Sequence, residues 1–381
     1  MKLNIAFYTD TYEPAIDGVV NSINNFKREL KLRGHKVYIF ASARFGNKIH
    51  NRSDTFFYHG VGFKPYPQYS VALFPYHSIT TINKLDIDLI HSHTPFFMGL
   101  SGLINAKLSR LPIVGSYHTM VSNKAIINEY YPNNKLIKDM TTKYMNKYIS
   151  FFYKRCNATI VPSEVIASIL RRNDIANINV VPNMVDRRVF NRKAGGASAF
   201  RNSYHIKDDE NVVLYVGRLS REKKLDVMLK SAKVLQKKGI KFVIVGAGPA
   251  ESYYKGIARR LNLQNVIFTG LIPNKDLPGV YAACNVFCMP STFETQGIVA
   301  LEAMSSGKPV VGADYLALKD LIKNGVNGEK FRAGDYLHCS EKIEKALNNA
   351  DTYTSGAVDT AIRFSPKNVT EKLIHVYKSV L

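Results

Sequence analysis

Residues 3–41, "LNIAFYTDTYEPAIDGVVNSINNFKRELKLRGHKVYIFA", contain a complete strand–helix–strand unit. The apolar run "LNIAFYT" has the length of a buried strand, and "KVYIFA" resumes as a second strand after the turn at Gly34. Between them, apolar residues recur at helical spacing, at Val19, Val20, Ile23, Phe26 and Leu30. Strands that alternate with helices in this way pair in parallel, so the segment predicts an α/β fold.

The same alternation continues along the chain and pauses once, in the turn-rich segment 179–190, "NVVPNMVDRRVF". The strand-like runs before the pause include "DIDLIHSH", "PIVGSYH" and "ATIVPS"; those after it include "NVVLYVGRLSREKK", "KFVIVGAG", "NVIFTGLIP", "NVFCMPS" and "KPVVGAD". We therefore predict two doubly wound, Rossmann-like domains, 1–185 and 186–364, that face each other across a ligand-binding cleft. Periodicity alone does not determine where the last helix, about 365–381, packs; packing back on the first domain is one expectation.

Composition limits the classes of function. The 381 residues are 46% hydrophobic and 22% charged, as in a globular protein, and carry a formal net charge of +22 that is spread over both halves. Such basicity favours an anionic membrane surface, nucleic acid or phosphorylated substrates as partners. Nucleic acid is disfavoured because no helix-turn-helix, zinc-finger or RNP pattern accompanies the charge.

Targeting and redox signals are few. The N-terminus has no signal-peptide pattern and no run approaches the ~18 apolar residues of a membrane span, so we expect a cytoplasmic protein that can attach peripherally to the inner face of the cell membrane. The four cysteines are expected to be buried free thiols rather than a metal pair or a disulfide framework.

The segment 292–311, "TFETQGIVALEAMSSGKPVV", places two carboxylates around a predicted helix start at Gly297. The backbone N–H groups of the segment from Thr295 through Gln296 to Ile298 would form an anion site there. Glu294 and Glu302 would repel a phosphate, but carboxylates accept hydrogen bonds from sugar hydroxyls. The structural alternative is that Glu294 caps the helix and that Glu302 is a solvated first-turn acid.

Cations for a phosphate follow the strand in "VGRLSREKK", where Arg218 and Lys223 lie five residues apart. Gly18, in the first turn, would let the backbone approach a phosphate. The structural alternatives are a solvated basic turn and an ordinary turn glycine.

Three histidines, His91, His93 and His118, end predicted strands of the first half and would face the cleft. Each can also be a satisfied structural histidine.

Two further matches are discounted. "VGAGPAE" lacks the third glycine of a dinucleotide fingerprint because Glu251 stands there, which disfavours a nicotinamide enzyme. In "DID", Asp86 and Asp88 match a metal-binding pair, but Asp86 fits a turn residue better.

Taken together, the chain resembles the retaining, GT-B-fold glycosyltransferases of the family-4 type that use nucleotide-sugars. The resemblance covers essentially the whole chain and is carried by "DGVV", "HSHTPF", "SYHT", "VPNMVD", "VGRLSREKK" and "ETQGIVALE". It implies that Glu302 binds the ribose, Glu294 the transferred sugar, and Arg218 and Lys223 the diphosphate. It also implies that backbone N–H groups of Gln296, Gly297 and Ile298 contact sugar and phosphate.

The resemblance further implies that His118 lies near the reacting carbon, that Gly18 approaches the diphosphate, and that no metal or other cofactor is needed. One departure from the family pattern is Asp17-Gly18, where two adjacent glycines are usual. This substitution puts the phosphate approach at the first turn in doubt.

"TFETQG" looks most like the branch that glycosylates diacylglycerol, so we predict transfer of a hexose, in the first instance glucose from UDP-glucose, to a membrane lipid. In "KYMNKYISFFYKR", Lys143, Lys147 and Lys154 share one helical face, as in a helix at an anionic interface. The aromatic residues beside them are Tyr144, Tyr148, Phe151 and Phe152. The alternative is that these aromatics are core and the lysines are their solvated face.

Two alternative functions stay open at this point. One is the same chemistry on a soluble sugar or polyol. The other is a non-catalytic protein that binds a sugar nucleotide or nucleic acid, against which the intact Glu294, Arg218, Lys223 and His118 argue.

Overall fold

A computed structural model describes residues 1–15, 17–44, 51–62, 70–72, 78–118, 120 and 135–381. The chain forms two compact units. The first contains Met1–Asn183 together with Pro366–Leu381, and the second contains Met184–Ser365.

The first unit alternates strands and helices over most of its described length. In chain order its elements are β1 (Asn4–Thr9), α1 (Gly18–Leu32), β2 (Lys36–Arg44), β3 (Thr55–Gly62), β4 (Ser70–Ala72), α2 (Ser78–Lys84), β5 (Leu89–Ser92), α3 (Phe97–Ser109), β6 (Ile113–Ser116), α4 (Lys135–Tyr153), β7 (Ala158–Val161), α5 (Glu164–Arg171) and β8 (Ile178–Val180).

The described strands of this unit form one sheet in the order β4-β3-β2-β1-β5-β6-β7-β8. All neighbours in it are parallel except β3 and β4. The strands β3, β4 and β8 were not predicted. Of these, β8 lies partly in the segment that we interpreted as a pause, and its three residues are only half-buried, so they carry little of the apolar signal of a core strand.

The quoted segment 3–41 folds as predicted, for identifiable reasons. Asp17 caps α1 by accepting hydrogen bonds from the backbone N–H groups of Val19 and Val20, both at 2.9 Å. The helix ends at Leu32, and Gly34 follows with φ of 84°, a left-handed conformation that glycine adopts without strain. The apolar face of α1, which includes Ile23, is buried.

The second unit repeats the pattern. Its elements are α6 (Ala197–Ser203), β9 (Val212–Val216), α7 (Leu225–Val234), β10 (Lys241–Val245), α8 (Glu251–Arg260), β11 (Val266–Gly270), α9 (Leu277–Ala283), β12 (Val286–Met289), α10 (Ile298–Ser305), β13 (Val310–Ala313), α11 (Leu316–Leu321), β14 (Gly328–Phe331), α12 (Tyr336–Asn348) and α13 (Ala350–Arg363). The last helix of the chain, α14 (Pro366–Val380), belongs to the first unit.

The sheet of the second unit is parallel, in the order β11-β10-β9-β12-β13-β14. Both of its faces are buried: Val213 and Tyr215 of β9 belong to one apolar cluster, while Val212, Leu214 and Val216 belong to the other. Helices therefore cover the sheet on both sides. The predicted fold class of two doubly wound α/β domains is confirmed.

Two further predictions concern the chain as a whole. All four cysteines are buried free thiols, as predicted. In the part of the chain that the structure describes, no helix combines the length and apolarity that crossing a bilayer requires.

Candidate active site

The strand order of the second unit reverses between β9 and β12, which are neighbours in the sheet. Ligands of open α/β sheets bind beyond the carboxyl ends of the strands at such a reversal. The loop after β9 carries Arg218 and Lys223, and the loop after β12 carries Glu294 and Gly297. The topology thus brings together two motifs that lie more than seventy residues apart in the sequence.

Lys223 and Glu294 are in direct contact. Lys223 ends a short 3₁₀ helix, Arg221–Lys223, and its Nζ lies 2.7 Å from Oε1 of Glu294. Both side chains are largely buried, with exposed fractions of 19% and 12%. The N-cap of α10 is Gly297, which has no side chain, and the carboxylate of Glu294 is bonded to Lys223. The pair instead places one cation and one hydroxyl acceptor side by side.

Arg218 projects from the same loop and is exposed. Within the described residues its guanidinium has no hydrogen-bond or ion-pair partner. The loop itself is held by the "VGAG" segment: Leu219 donates to the carbonyl of Ala247 at 3.0 Å. A Cβ at Gly246 would collide with the backbone of Gly217. The glycines of the discounted dinucleotide match are therefore explained by packing against the loop that carries Arg218.

The N-terminus of α10 has no side-chain cap. Gly297 precedes it with φ of 85°, and a Cβ at that position would press on Leu318. Gln296 is buried, while Thr295 and Ile298 are partly accessible. Helix N-termini attract anions, so this end of α10 can receive a phosphate beside Lys223.

Glu302 lies within α10, one turn from its start, and accepts a hydrogen bond of 2.7 Å from the hydroxyl of Tyr281 on α9. Burial raises the pKa of its carboxyl to about 7. Glu302 is therefore not the solvated first-turn acid of the structural alternative. A desolvated carboxylate gains most when ligand hydroxyls donate to it.

The strand order of the first unit also reverses, between the neighbouring strands β1 and β5. The residues that follow these strands are joined: Asp10 accepts from the hydroxyl of Thr94 and from the N–H of Met98, the latter at 2.9 Å. Asp10 is fully buried, and this burial raises the pKa of its carboxyl to about 6. This clamp fixes the 93–96 loop and the start of α3.

The three predicted histidines meet at this edge. Nδ1 of His93 lies 3.1 Å from Nε2 of His118, and the two rings are stacked. His91 packs on His93 with ring centroids 4.1 Å apart. Its ring nitrogens are 2.6 Å from the hydroxyl of Tyr377 and 2.7 Å from that of Ser116. His91 is thus a satisfied structural histidine, which ties α14 to the sheet.

Burial keeps these rings neutral at physiological pH. Desolvation lowers the pKa of His118 to about 4 and holds the pKa values of His91 and His93 well below the usual range. His118 is partly accessible whereas His91 and His93 are buried. Of the three, His118 is the histidine whose ring a ligand can reach.

The first turn is less favourable to a phosphate than the N-terminus of α10. Gly18 is exposed, and a Cβ there would meet no neighbouring atom, so local packing does not require glycine. However, the carboxylate of Asp17 already occupies the N-terminus of α1. The approach of a phosphate to Gly18 stays a prediction.

The "DID" match has a structural explanation. Asp86 adopts a left-handed turn conformation with φ of 48°, and Asp88 accepts from the N–H of Asn4 at 2.7 Å. Both residues lie before β5, at the end of the sheet opposite the histidines. No group of three or more potential metal ligands occurs among the described residues.

The predicted membrane helix is α4. Lys143, Lys147 and Tyr144 are exposed on it. Lys154 lies just beyond the end of the helix, where its Nζ is 3.8 Å from a carboxylate oxygen of Asp174. The predicted face therefore comprises two lysines within the helix and one in the turn that follows.

The aromatic residues of this segment divide into two groups. Phe152 is fully buried, so its prediction as an interfacial residue was wrong. Tyr148 is half-buried and donates to the carbonyl of Pro95 at 2.6 Å, while Phe151 is 44% exposed. Residues 123–134, which include Lys124, lie outside the described residues.

Sequence reasoning missed three residues of these networks: Asp10, Tyr281 and Tyr377. Asp10 directly follows a strand at a sheet reversal, a signal that could have identified it. The two tyrosines lie on helices without any motif, and only the fold brings them to Glu302 and His91.

Two family profiles match the chain. "Glycosyltransferase Family 4" covers residues 16–189, and "Glycosyl transferases group 1" covers residues 197–356. The first match spans the histidine cluster, and the second spans the Lys223–Glu294 pair.

Curated relatives match over nearly the whole chain. The alpha-monoglucosyldiacylglycerol synthase of Streptococcus pneumoniae is 30% identical over 386 residues, which cover 98% of this chain and 85% of the relative. The enzyme of the same name from Acholeplasma laidlawii is 26% identical over 349 residues, covering 88% and 86%.

Among solved structures, the Anabaena protein HepE in complex with UDP and glucose superposes with a TM-score of 0.75. Its sequence identity is 18%, and the match covers 99% of this chain and 100% of that one. This likeness concerns the fold.

Proposed function

Because this chain belongs to the GT-B-fold glycosyltransferases of group 1 and family 4, we propose that it transfers a hexose, glucose in the first instance, from a UDP-sugar to a hydroxyl of a membrane glycerolipid. The observation that carries the proposal is the contact between Lys223 and Glu294 at the reversal of the second sheet, beside the uncapped start of α10. It joins a phosphate-binding cation to a sugar-binding carboxylate within one unit.

The donor would bind to the second unit. Its diphosphate would lie against Arg218, Lys223 and the N-terminus of α10. Glu302, supported by Tyr281, would accept the ribose hydroxyls, and Glu294 would accept hydroxyls of the transferred sugar. Two carboxylates that flank a phosphate site would suit a donor that carries one sugar at each end of a diphosphate.

The reaction needs stabilisation of the leaving diphosphate. As its bond to the sugar breaks, negative charge grows on the phosphate oxygens, and fixed cations and helix amides stabilise that charge without reorganising. We propose that these groups act without a divalent metal. The neutral ring of His118 would contact the sugar near the reacting carbon. Retention by front-side attack is part of the proposal because no second carboxylate is assigned as a nucleophile.

The first unit would bind the acceptor. Two relatives named as alpha-monoglucosyldiacylglycerol synthases support a lipid acceptor. The exposed lysines of α4 and the net charge of +22 support attachment to an anionic membrane surface. We propose peripheral attachment at the cytoplasmic face of the cell membrane.

The test is a transfer assay with a panel of nucleotide-sugars and diacylglycerol in phosphatidylglycerol vesicles, with and without EDTA. We expect UDP-glucose to give a glucosylated lipid and free UDP, and we expect EDTA to leave the rate unchanged. Transfer only to glycerol, inositol or a free sugar would contradict the lipid acceptor. Loss of the activity in EDTA, restored by Mg²⁺ or Mn²⁺, would contradict the metal-independent mechanism.

A further inference from the structure

An apolar groove lies on the first unit between the start of α3 and the helix α4. Phe96, Phe97 and Leu100 line it on one side. From α4, the groove is lined chiefly by Met140, Tyr144, Met145 and Tyr148. Its volume is about 670 Å³, within the range of pockets that bind small molecules.

Large apolar side chains at this groove are exposed. The exposed fraction is 46% for Phe97, 48% for Met140 and 64% for Tyr144. Along α3, Ile104 and Leu108 continue the same helical face with exposed fractions of 54% and 65%. Contiguous apolar surface of this kind marks a site that binds another apolar molecule.

The edge of the groove is basic. Lys143 and Lys147 lie one turn apart on α4, adjacent to Tyr144, and both are exposed. On α3, Lys107 is exposed beside Leu108. An apolar interior with a cationic edge is complementary to a lipid chain that enters from an anionic surface.

The inner end of the groove is connected to the histidine cluster. The hydroxyl of Tyr148 donates to the carbonyl of Pro95 at 2.6 Å, and its ring lies parallel to that of Phe96. Pro95 and Phe96 belong to the 93–96 loop, whose His93 contacts His118 at 3.1 Å. The loop that forms one wall of the groove is therefore also the loop that contacts His118, the proposed sugar-contacting residue, and Asp10 holds this loop in place.

We propose that this groove binds one acyl chain of the glycerolipid acceptor and thereby holds the acceptor hydroxyl at the end of the groove nearest the 93–96 loop. The inference rests on the proposed function, because it concerns the acceptor of that reaction. Each methylene that the groove buries should strengthen acceptor binding up to about fourfold. The groove would then select acceptors by chain length, separately from the electrostatic attachment of the protein to the membrane.

A binding test can use the absence of tryptophan from the chain. The Tyr144→Trp variant carries a single indole at the groove, and Tyr336→Trp carries one on an exposed position of α12 as a matched control. The probe is a brominated monoacylglycerol below its micelle concentration, without vesicles. We expect quenching of Tyr144→Trp fluorescence and none with Tyr336→Trp. Equal quenching of both variants, or of neither, would overturn the groove as an acyl-chain site.

A kinetic test uses a substitution whose larger side chain fills the groove. Met145→Trp adds volume within it, and Leu337→Trp adds the same side chain at an exposed position of α12 in the second unit. With UDP-glucose and soluble acylglycerols of increasing chain length, we expect Met145→Trp to lower kcat/KM at least tenfold for long chains. The effect of Met145→Trp on the shortest acceptor and on donor hydrolysis should be small, and Leu337→Trp should match the unmodified protein. If chain length does not affect the unmodified protein, the proposal is wrong.

The experiments distinguish failure of the proposed reaction from failure of the proposed acyl-chain site. Quenching of Tyr144→Trp without any transfer to lipid would leave the acyl-chain site standing and overturn the proposed reaction. Transfer to diacylglycerol with no quenching, and with the same chain-length dependence in Met145→Trp, would leave the reaction standing and overturn the acyl-chain site.

Discussion

Lys223 Nζ lies 2.7 Å from Oε1 of Glu294, so the cation and the carboxylate that a nucleotide-sugar would engage satisfy each other in the free protein. Breaking a largely buried pair by removing one partner leaves the other charge uncompensated. Binding of the donor can replace this contact with bonds from Lys223 to a phosphate and from sugar hydroxyls to Glu294. The pair thus holds both side chains in place before the donor arrives.

Removing the cation should affect catalysis more than donor binding. We expect Lys223→Met to lower kcat about 100-fold or more, because its charge meets a charge that grows in the transition state. Initial rates with UDP-glucose and diacylglycerol vesicles measure the effect. Lys233→Met, on an exposed position of α7, is the matched control and should be unchanged. Unaltered kcat in Lys223→Met would exclude Lys223 from the reaction.

Donor binding should depend on the ionisation of Glu302. Its pKa is raised to about 7 by burial, and the carboxylate is the form that accepts from ribose hydroxyls. We therefore expect the KM for the donor to rise as the pH falls from about 8 to 6. In Glu302→Gln, KM should be high at every pH, by about 10-fold or more for the lost charged hydrogen bonds. A donor KM that is independent of pH in the unmodified protein would contradict this role.

The same carboxyl should destabilise the free protein at neutral pH. Its folded pKa of about 7 lies above the ordinary value of 4.5, so between these values the folded state binds more protons than the unfolded state. The contribution of the Glu302 carboxyl to the free energy of unfolding is fully present below about pH 4.5 and is lost as the pH rises towards 7. Glu302→Gln should therefore raise the free energy of unfolding at pH 8 by about 1–3 kcal/mol and have little effect at pH 4.5. Denaturant unfolding at both pH values measures it, and equal effects would contradict the raised pKa.

His118 should not titrate in the working range. Burial lowers its pKa to about 4, so the ring is neutral above about pH 5. We expect His118→Asn to lower kcat about 10- to 100-fold through a lost hydrogen bond to the sugar, while the shape of the pH–rate profile above pH 5 stays the same. If the pH–rate profile of the unmodified protein changes near pH 6.5 and this change disappears in His118→Asn, the histidine acts in its charged form.

Membrane attachment should depend on the lysines of α4 and the turn after it. Changing Lys143, Lys147 and Lys154 to Glu should abolish sedimentation with phosphatidylglycerol vesicles, because each juxtamembrane cation contributes ~1 kcal/mol on an anionic surface. Donor hydrolysis, in which these three lysines have no proposed role, should remain.

The matched control changes three exposed lysines elsewhere to Glu, namely Lys233, Lys237 and Lys372. It alters the net charge equally and should still sediment. If the α4 variant sediments as the unmodified protein does, another surface binds the membrane. The segments 44–52 and 63–77, most of which lies outside the described residues, would be the next candidates.

The sequence predicted most of the fold because its signals are local. Apolar runs followed by helical periodicity specify β1, α1 and β2, and the same pattern specifies most strands of the second unit. Strands β3, β4, β8 and β14 were missed. Three of these, β4, β8 and β14, have only three or four residues, which is too few to form a clear apolar run. Boundaries and sheet order depend on pairing between distant segments, which periodicity does not encode.

The sequence alone also determined the motif residues of the site, since Arg218, Lys223, Glu294 and Glu302 belong to segments with a recognisable pattern. Only the tertiary structure decided what each of them contacts. It paired Lys223 with Glu294, placed the half-buried Glu302 beside Tyr281, and placed Phe152 in the core while leaving Tyr144 exposed. The physical reason is that burial, pKa and partner choice are set by neighbours that are close in space and remote in sequence.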